Sequence, residues 1–127
     1  MTKVMVVDDE PDIRRLVTFS LSRHGYETVE CADGLTAITL ASSEKPDLIL
    51  MDVMMPVLNG FEAVRRLKED PSTRDIPVVM LSARSQQHEQ EAGLVSGASR
   101  YIIKPFTPTD LVDQVGSFIQ ELSGKER

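Results

Sequence analysis

The sequence predicts an α/β fold, a doubly wound parallel sheet of five strands with five helices. Three observations carry this. Four apolar runs, Val4–Val7, Leu48–Met51, Val78–Leu81 and Tyr101–Ile103, lack polar alternation, as expected of strands buried on both faces. These runs alternate along the chain with amphipathic helical patterns, the signature of β–α–β units joined by right-handed crossovers. One further short segment, Glu27–Glu30, is polar and belongs at an edge.

The first run ends in Asp8-Asp9-Glu10. Pro11 suits the first turn of a helix, where its missing N–H costs nothing. Asp9 or Glu10 fits the N-cap region, where the helix dipole favours negative charge. Ile13, Leu16, Val17 and Leu21 recur at helical spacing, and His24-Gly25 closes the helix. After the edge strand, Gly34 to Glu44 carries an apolar stripe of Leu35, Ala37, Ile38, Leu40 and Ala41, stopped by Pro46-Asp47. The central strand runs from Leu48 into Asp52, and Pro56 forbids easy continuation. Gly60 to Asp70 reads as a helix with Phe61, Val64 and Leu67 inward. Pro77 to Ser82 is the next strand. Gln86 to Ser96 reads as a polar helix that Gly97 ends. After Tyr101–Ile103 and Lys104-Pro105, Thr107 or Thr109 caps a last helix bearing Leu111, Val112, Val115, Phe118, Ile119 and Leu122. The flavodoxin-like strand order 2-1-3-4-5 places the polar strand at the edge and sets the Val4 and Leu48 strands side by side at the switch point.

Composition narrows the function. A chain of 127 residues makes one domain. A net charge of −6 argues against direct nucleic acid binding and against adsorption to an anionic membrane. No apolar run approaches membrane-span length, and the Met-Thr-Lys start carries no signal-peptide pattern. A cytoplasmic protein is expected. The single cysteine, Cys31, reads as a buried packing residue. His24 and His88 lack metal-ligand spacing.

The strand ends carry the chemistry. They are Asp8-Asp9, Asp52, Ser82 and Lys104, and a parallel sheet brings all of them to one edge. Clustered carboxylates repel unless a cation neutralises them. An all-oxygen site suits Mg²⁺. A carboxylate beside Mg²⁺ serves as a nucleophile toward phosphorus, with the ion and a lysine balancing the phosphoryl charge. Asp52, on the central strand, is the best placed nucleophile.

Val7-Asp8-Asp9-Glu10-Pro11, Asp52 with Met55-Pro56 and Gly60, Leu81-Ser82-Ala83-Arg84, Gly97-Ala98 and Lys104-Pro105-Phe106 together resemble the receiver domain of two-component response regulators, across essentially the whole of residues 1–127. The resemblance implies that Asp52 accepts a phosphoryl group from a histidine kinase or phosphotransfer protein. It implies Asp9, Asp52 and the Met54 carbonyl as direct Mg²⁺ ligands, with Mn²⁺ as a substitute, and Asp8 acting through water. Ser82 and Lys104 would contact the phosphoryl oxygens. Pro56 and Gly60 would shape the loop after Asp52, and the Lys104–Pro105 peptide would be cis. Ser82 and Tyr101 would form a switch that reshapes the face of the 86–96 helix, the Tyr101 strand and the last helix. Such a domain catalyses only its own phosphorylation and dephosphorylation.

Some positions depart from the common pattern. Ser82 replaces a more frequent threonine, keeping the hydroxyl. Met54 and Arg84, the positions that the resemblance implies modulate phosphoryl lifetime, stand where chemotaxis-type receivers carry polar and acidic residues, and Met54 would orient a water poorly, so slow self-dephosphorylation is expected. Both resemble receivers of the phosphate-regulon type. Ser99 and Arg100 stand where that type carries an acidic pair, and Gln114 and Gly116 where basic residues are usual. A monomer or weak dimer is therefore expected. The 127 residues hold no output domain, so the chain either acts on a downstream protein by contact alone or is the receiver part of a longer regulator. A phosphatase of the haloacid-dehalogenase type is the enzymatic alternative, although Met54 occupies the second position of its Asp-x-Asp motif.

Overall fold

A computed structural model describes residues 1–83 and 97–125. Five parallel strands, β1 (Lys3–Val7), β2 (Glu27–Cys31), β3 (Leu48–Asp52), β4 (Val78–Ala83) and β5 (Arg100–Lys104), form one sheet in the order β2-β1-β3-β4-β5. Four helices are described, α1 (Pro11–Arg23), α2 (Gly34–Glu44), α3 (Gly60–Glu69) and α4 (Pro108–Lys125). The helix expected over 86–96 lies outside the described residues. The expected strand order is the observed one.

Alternate residues of each central strand feed two separate cores, because successive side chains point to opposite faces. Val4, Val6, Leu48, Leu50, Val79 and Leu81 pack under α1 and α4, against Val17, Leu21, Leu111, Val115 and Phe118. Met5, Val7, Ile49, Met51, Val78 and Met80 pack under α2 and α3, against Ala37, Ala41, Val64 and Leu67. Both faces being covered explains why these strands read as unbroken apolar runs. The polar strand β2 sits at the edge as expected, and its Cys31 is buried.

The helices depart from their sequence stripes in one respect. Leu16 and Leu35 are exposed, at 45% and 50%, as is Phe19 at 62%. On α1 the buried face is Val17, Ser20 and Leu21, so Leu16 falls one position off it. On α2 the inward residues are Gly34, Ala37 and Ala41, small side chains that let the helix lie close to the sheet. Helix ends behave as their residues dictate. Gly25 takes φ +89° after the His24 C-cap. Asp33 caps α2 through Thr36 N at 2.8 Å, and Thr107 Oγ1 accepts from Asp110 N at 3.1 Å.

Candidate functional site

The strand register brings the polar residues to one edge. Val7 pairs with Met51, so Asp8 and Asp52 follow at neighbouring strand ends, at the crevice where the strand order reverses. Asp52 itself pairs with Leu81, one residue before Ser82, and Ala83 pairs with Lys104. Four segments distant in sequence thus meet because the strands are parallel and all end at one edge of the sheet.

The centre of the site is an ammonium between two carboxylates. Lys104 Nζ donates to Asp52 Oδ1 at 3.1 Å and lies 3.5 Å from Asp8 Oδ2. Asp8 is fully buried and Asp52 is 4% exposed. Burial, and next the Asp8 charge, push the Asp52 carboxyl up to about 6, against the pull of Lys104, while Asp9 adds to the rise. Burial alone would lower Lys104. The attractions of Asp52 and Asp8, the Asp52 hydrogen bond and Glu10 outweigh it, so the ammonium is held above its ordinary value.

Asp8 is fixed on three sides. Its N–H donates to Cys31 O at 3.1 Å. Its carbonyl accepts from Arg14 Nη1 at 2.7 Å, and its Oδ1 accepts from Glu10 N at 2.9 Å. Arg14 in turn pairs with Glu30 on β2 at 3.3 Å. Asp8 Oδ2 is buried and has no hydrogen-bond partner among the described residues. The Lys104 ammonium at 3.5 Å offsets part of its charge without hydrogen-bonding it, and a second cation is a natural partner for a buried carboxylate oxygen so placed. Carboxylate oxygens of Asp8, Glu10 and Asp52 lie within 4.8 Å of one another. An all-oxygen donor set of this kind fits a hard divalent cation such as Mg²⁺. Asp9 is half-buried and outside this trio, although its charge is felt at Asp52.

The other expected residues are placed as follows. Ser82 is fully buried near the end of β4. Tyr101 is half-buried and packs against the core under α2 and α3. The Lys104–Pro105 peptide is cis. Met54 is 67% exposed beside Asp52. Arg84 lies outside the described residues. The loop after Asp52 is stitched to the sheet: Val53 N donates to Leu81 O at 3.1 Å and Gly60 N donates to Val53 O at 2.9 Å.

Within that loop Pro56, Val57 and Leu58 form a three-residue turn, closed by Leu58 N donating to Pro56 O at 2.8 Å. Val57 sits at φ +68° with its side chain 96% exposed. A β-branched residue there is strained. Val57→Gly is expected to raise unfolding stability by about 1 kcal/mol, strain relief exceeding the extra entropy of glycine. Urea denaturation measures it, and an unchanged or lower midpoint would contradict the strain.

Two features escaped the sequence. Glu10 reads as a capping residue, yet its backbone is the α1 N-cap while its side chain makes no capping hydrogen bond. A third consecutive carboxylate at a strand end was the available signal. The Val57 turn left none, since glycine or asparagine is the usual mark of positive φ.

Fold and site define a class: a parallel α/β domain with a buried aspartate, a lysine and an acidic pocket at the switch point. The family model for the response regulator receiver domain matches residues 4–116, and the chain belongs to that family. It is 40% identical over 121 residues to the phosphate regulon transcriptional regulatory protein PhoB of Escherichia coli, across 95% of this chain and 53% of PhoB. It is 37% identical over 120 residues to the DNA-binding dual master transcriptional regulator RpaA of Synechocystis, across 94% of this chain and 50% of RpaA. The chain spans about half the length of the curated relatives it matches. Chemotaxis protein CheY4 of Vibrio cholerae superposes with a TM-score of 0.87 at 34% identity, covering 92% of this chain and 98% of CheY4. The receiver domain of sensor histidine kinase PA1611 from Pseudomonas aeruginosa superposes with a TM-score of 0.85 at 30% identity, covering 94% and 98% of the two chains. That structure carries a magnesium ion coordinated in its active site cleft.

Proposed function

We propose that residues 1–127 are a single phosphoacceptor unit that takes a phosphoryl group on Asp52 and relays its presence to a partner protein. The observation that carries this is the Asp52 carboxylate. It is buried at a sheet edge, hydrogen-bonded to Lys104 and surrounded by more negative charge than that lysine balances. Residues Asp8, Asp9 and Asp52 and the Met54 carbonyl would hold Mg²⁺, Asp8 through water. When bound, the ion neutralises the carboxylates and the incoming phosphoryl oxygens. An Asp52 oxygen attacks phosphorus. The P–N bond of a phosphohistidine breaks, and the imidazole leaves with the bond's electrons. Lys104 stays charged and binds the phosphoryl oxygens. Ser82, fully buried one residue past the partner of Asp52, donates its hydroxyl to the phosphoryl group, and Tyr101 follows it inward as the switch.

The phosphodonor is a histidine kinase or phosphotransfer protein, and the setting is the cytoplasm. Among the described residues no helix is long and apolar enough to cross a membrane. The half-length match to DNA-binding regulators favours the receiver part of a longer regulator, with nucleic acid contacted by the remaining part. A monomer or weak dimer fits the β5–α4 face: Arg100 pairs with Glu121 of its own chain and lies 4.7 Å from the Phe118 ring. Those contacts occupy it within the chain.

The test is acetyl phosphate with Mg²⁺, read by intact mass. The wild-type chain is expected to gain one phosphoryl group and Asp52→Asn none. Labelling that persists in Asp52→Asn would remove Asp52 from the role. Turnover of p-nitrophenyl phosphate would favour the phosphatase alternative.

A further inference from the structure

We propose that Glu10 is a working member of the cation site, contributing an oxygen and a negative charge to the shell of a divalent ion held between Asp8 and Asp52. The inference rests on the reading that this pocket takes Mg²⁺. Four observations support it independently of the aspartates' expected roles.

Glu10 is the α1 N-cap, yet its carboxylate makes no capping hydrogen bond among the described residues. Acidic side chains at helix N-termini ordinarily accept from the first-turn N–H groups. This one is left free, and an oxygen of it lies within 4.8 Å of oxygens of both Asp8 and Asp52. Opposite ligands of an octahedral Mg²⁺ are separated by twice the ligand distance, about 4.2 Å. The trio is therefore close to the span of one ion, and Glu10 is the exposed member able to adjust.

The backbone of Glu10 is locked where the side chain must project into the site. Its N–H donates to Asp8 Oδ1 at 2.9 Å, and its carbonyl accepts the first helical bond from Arg14 N at 3.0 Å. The same bond to Oδ1 commits one oxygen of Asp8 and leaves Oδ2 buried without a hydrogen-bond partner among the described residues. Glu10 thus orients Asp8 through its backbone and meets the ion through its side chain.

Charge gives the fourth argument. Asp8, Glu10 and Asp52 bring three carboxylates to one lysine, a local excess of negative charge to which the half-buried Asp9 adds and which a divalent cation would offset.

The test is titration calorimetry with MgCl₂ on the whole chain, comparing wild type, Glu10→Gln and Asp12→Asn. Glu10→Gln keeps the size and the backbone cap. Asp12 is an exposed acid in the first turn of α1 and controls for general surface charge. Glu10→Gln is expected to weaken Mg²⁺ binding roughly tenfold, the scale of losing an oriented partner around a metal, while Asp12→Asn leaves it within about twofold. Thermal unfolding in EDTA is expected to place Glu10→Gln at or above wild type, because a repulsive charge is gone. The Mg²⁺-induced rise in melting temperature should shrink in step with the affinity. Equal Mg²⁺ affinity in wild type and Glu10→Gln overturns the assignment and leaves Asp52 phosphorylation standing. A wild-type chain that binds no Mg²⁺ overturns both. Equal losses in Glu10→Gln and Asp12→Asn would reduce Glu10 to bulk surface charge, which also overturns it.

Discussion

Gly60→Ala is expected to cost about 3 kcal/mol or more of unfolding stability and to impair phosphoryl acceptance at Asp52. Gly60 begins α3 where the helix touches the end of the central strand. A Cβ there would overlap the Asp52 carbonyl oxygen and come 2.7 Å from Met80 Cε and 3.0 Å from Val53 Cα. Two of these three neighbours are backbone atoms of the strand end and cannot rotate away. The helix must move, and with it the bond from Gly60 N to Val53 O. Overpacking a core that can adjust costs about 1–3 kcal/mol, and here the adjustment is blocked. The loss is a large fraction of what a domain of this size has to spare. Gly116→Ala supplies the contrast. Among the described residues its Cβ would meet only Tyr26 Oη at 3.5 Å, and it lies inside α4. That change is expected to gain about 0.5–1 kcal/mol from helix propensity. Urea denaturation of the two variants side by side checks both signs. A Gly60→Ala midpoint equal to wild type would mean that the α3 start is not seated on Asp52.

The same pair of glycines shows how far the sequence could be read. The strands were legible because burial on both faces forces unbroken apolar runs, and the order followed from one polar segment that only an edge could accommodate. Once the strands are parallel, their ends must share an edge, so Asp8, Asp52, Ser82 and Lys104 could be brought together without coordinates. The structure places Lys104 on both Asp8 and Asp52, as that argument requires. Which oxygens face which could not be read. Asp8 and Asp9 are adjacent and chemically identical. Backbone direction at the strand end decides that Asp8 is buried and Asp9 half-buried. Glu10 was hidden by a second sufficient reason for its presence, the dipole of α1. Leu16 and Leu35 misled because helical spacing tolerates a neighbouring residue on the stripe. The true faces are set by small residues such as Ser20, Ala37 and Ala41, which have little apolar weight in a pattern.

Asp52→Asn is expected to stabilise the fold by about 3 kcal/mol at pH 7, and the gain should vanish in acid. The Asp52 carboxyl is raised from 3.8 to about 6 by burial and by Asp8. Between these values the folded chain binds a proton that the unfolded chain has released, so stability falls as pH rises through the window. At pH 7 the group is ionised in both states, and the full difference of about two units appears as a cost, at about 1.4 kcal/mol per unit. The substituted amide carries no such charge and still offers an oxygen to Lys104. The difference between variant and wild type should therefore be largest above pH 6 and close toward pH 4. Asp33 and Asp70 work in the opposite sense, since bonds from Thr36 and Ser72 hold them below their ordinary values. They weaken both proteins alike in acid and cancel in the difference. Urea unfolding in EDTA from pH 4 to 8 gives the curve. Added Mg²⁺ should narrow the gap at pH 7, because a bound cation relieves in the wild type the repulsion that the substitution removes. A gap that is flat with pH would mean that Asp52 is not poised by its neighbours, and that the site lacks the strained negative charge that suits it to attack phosphorus.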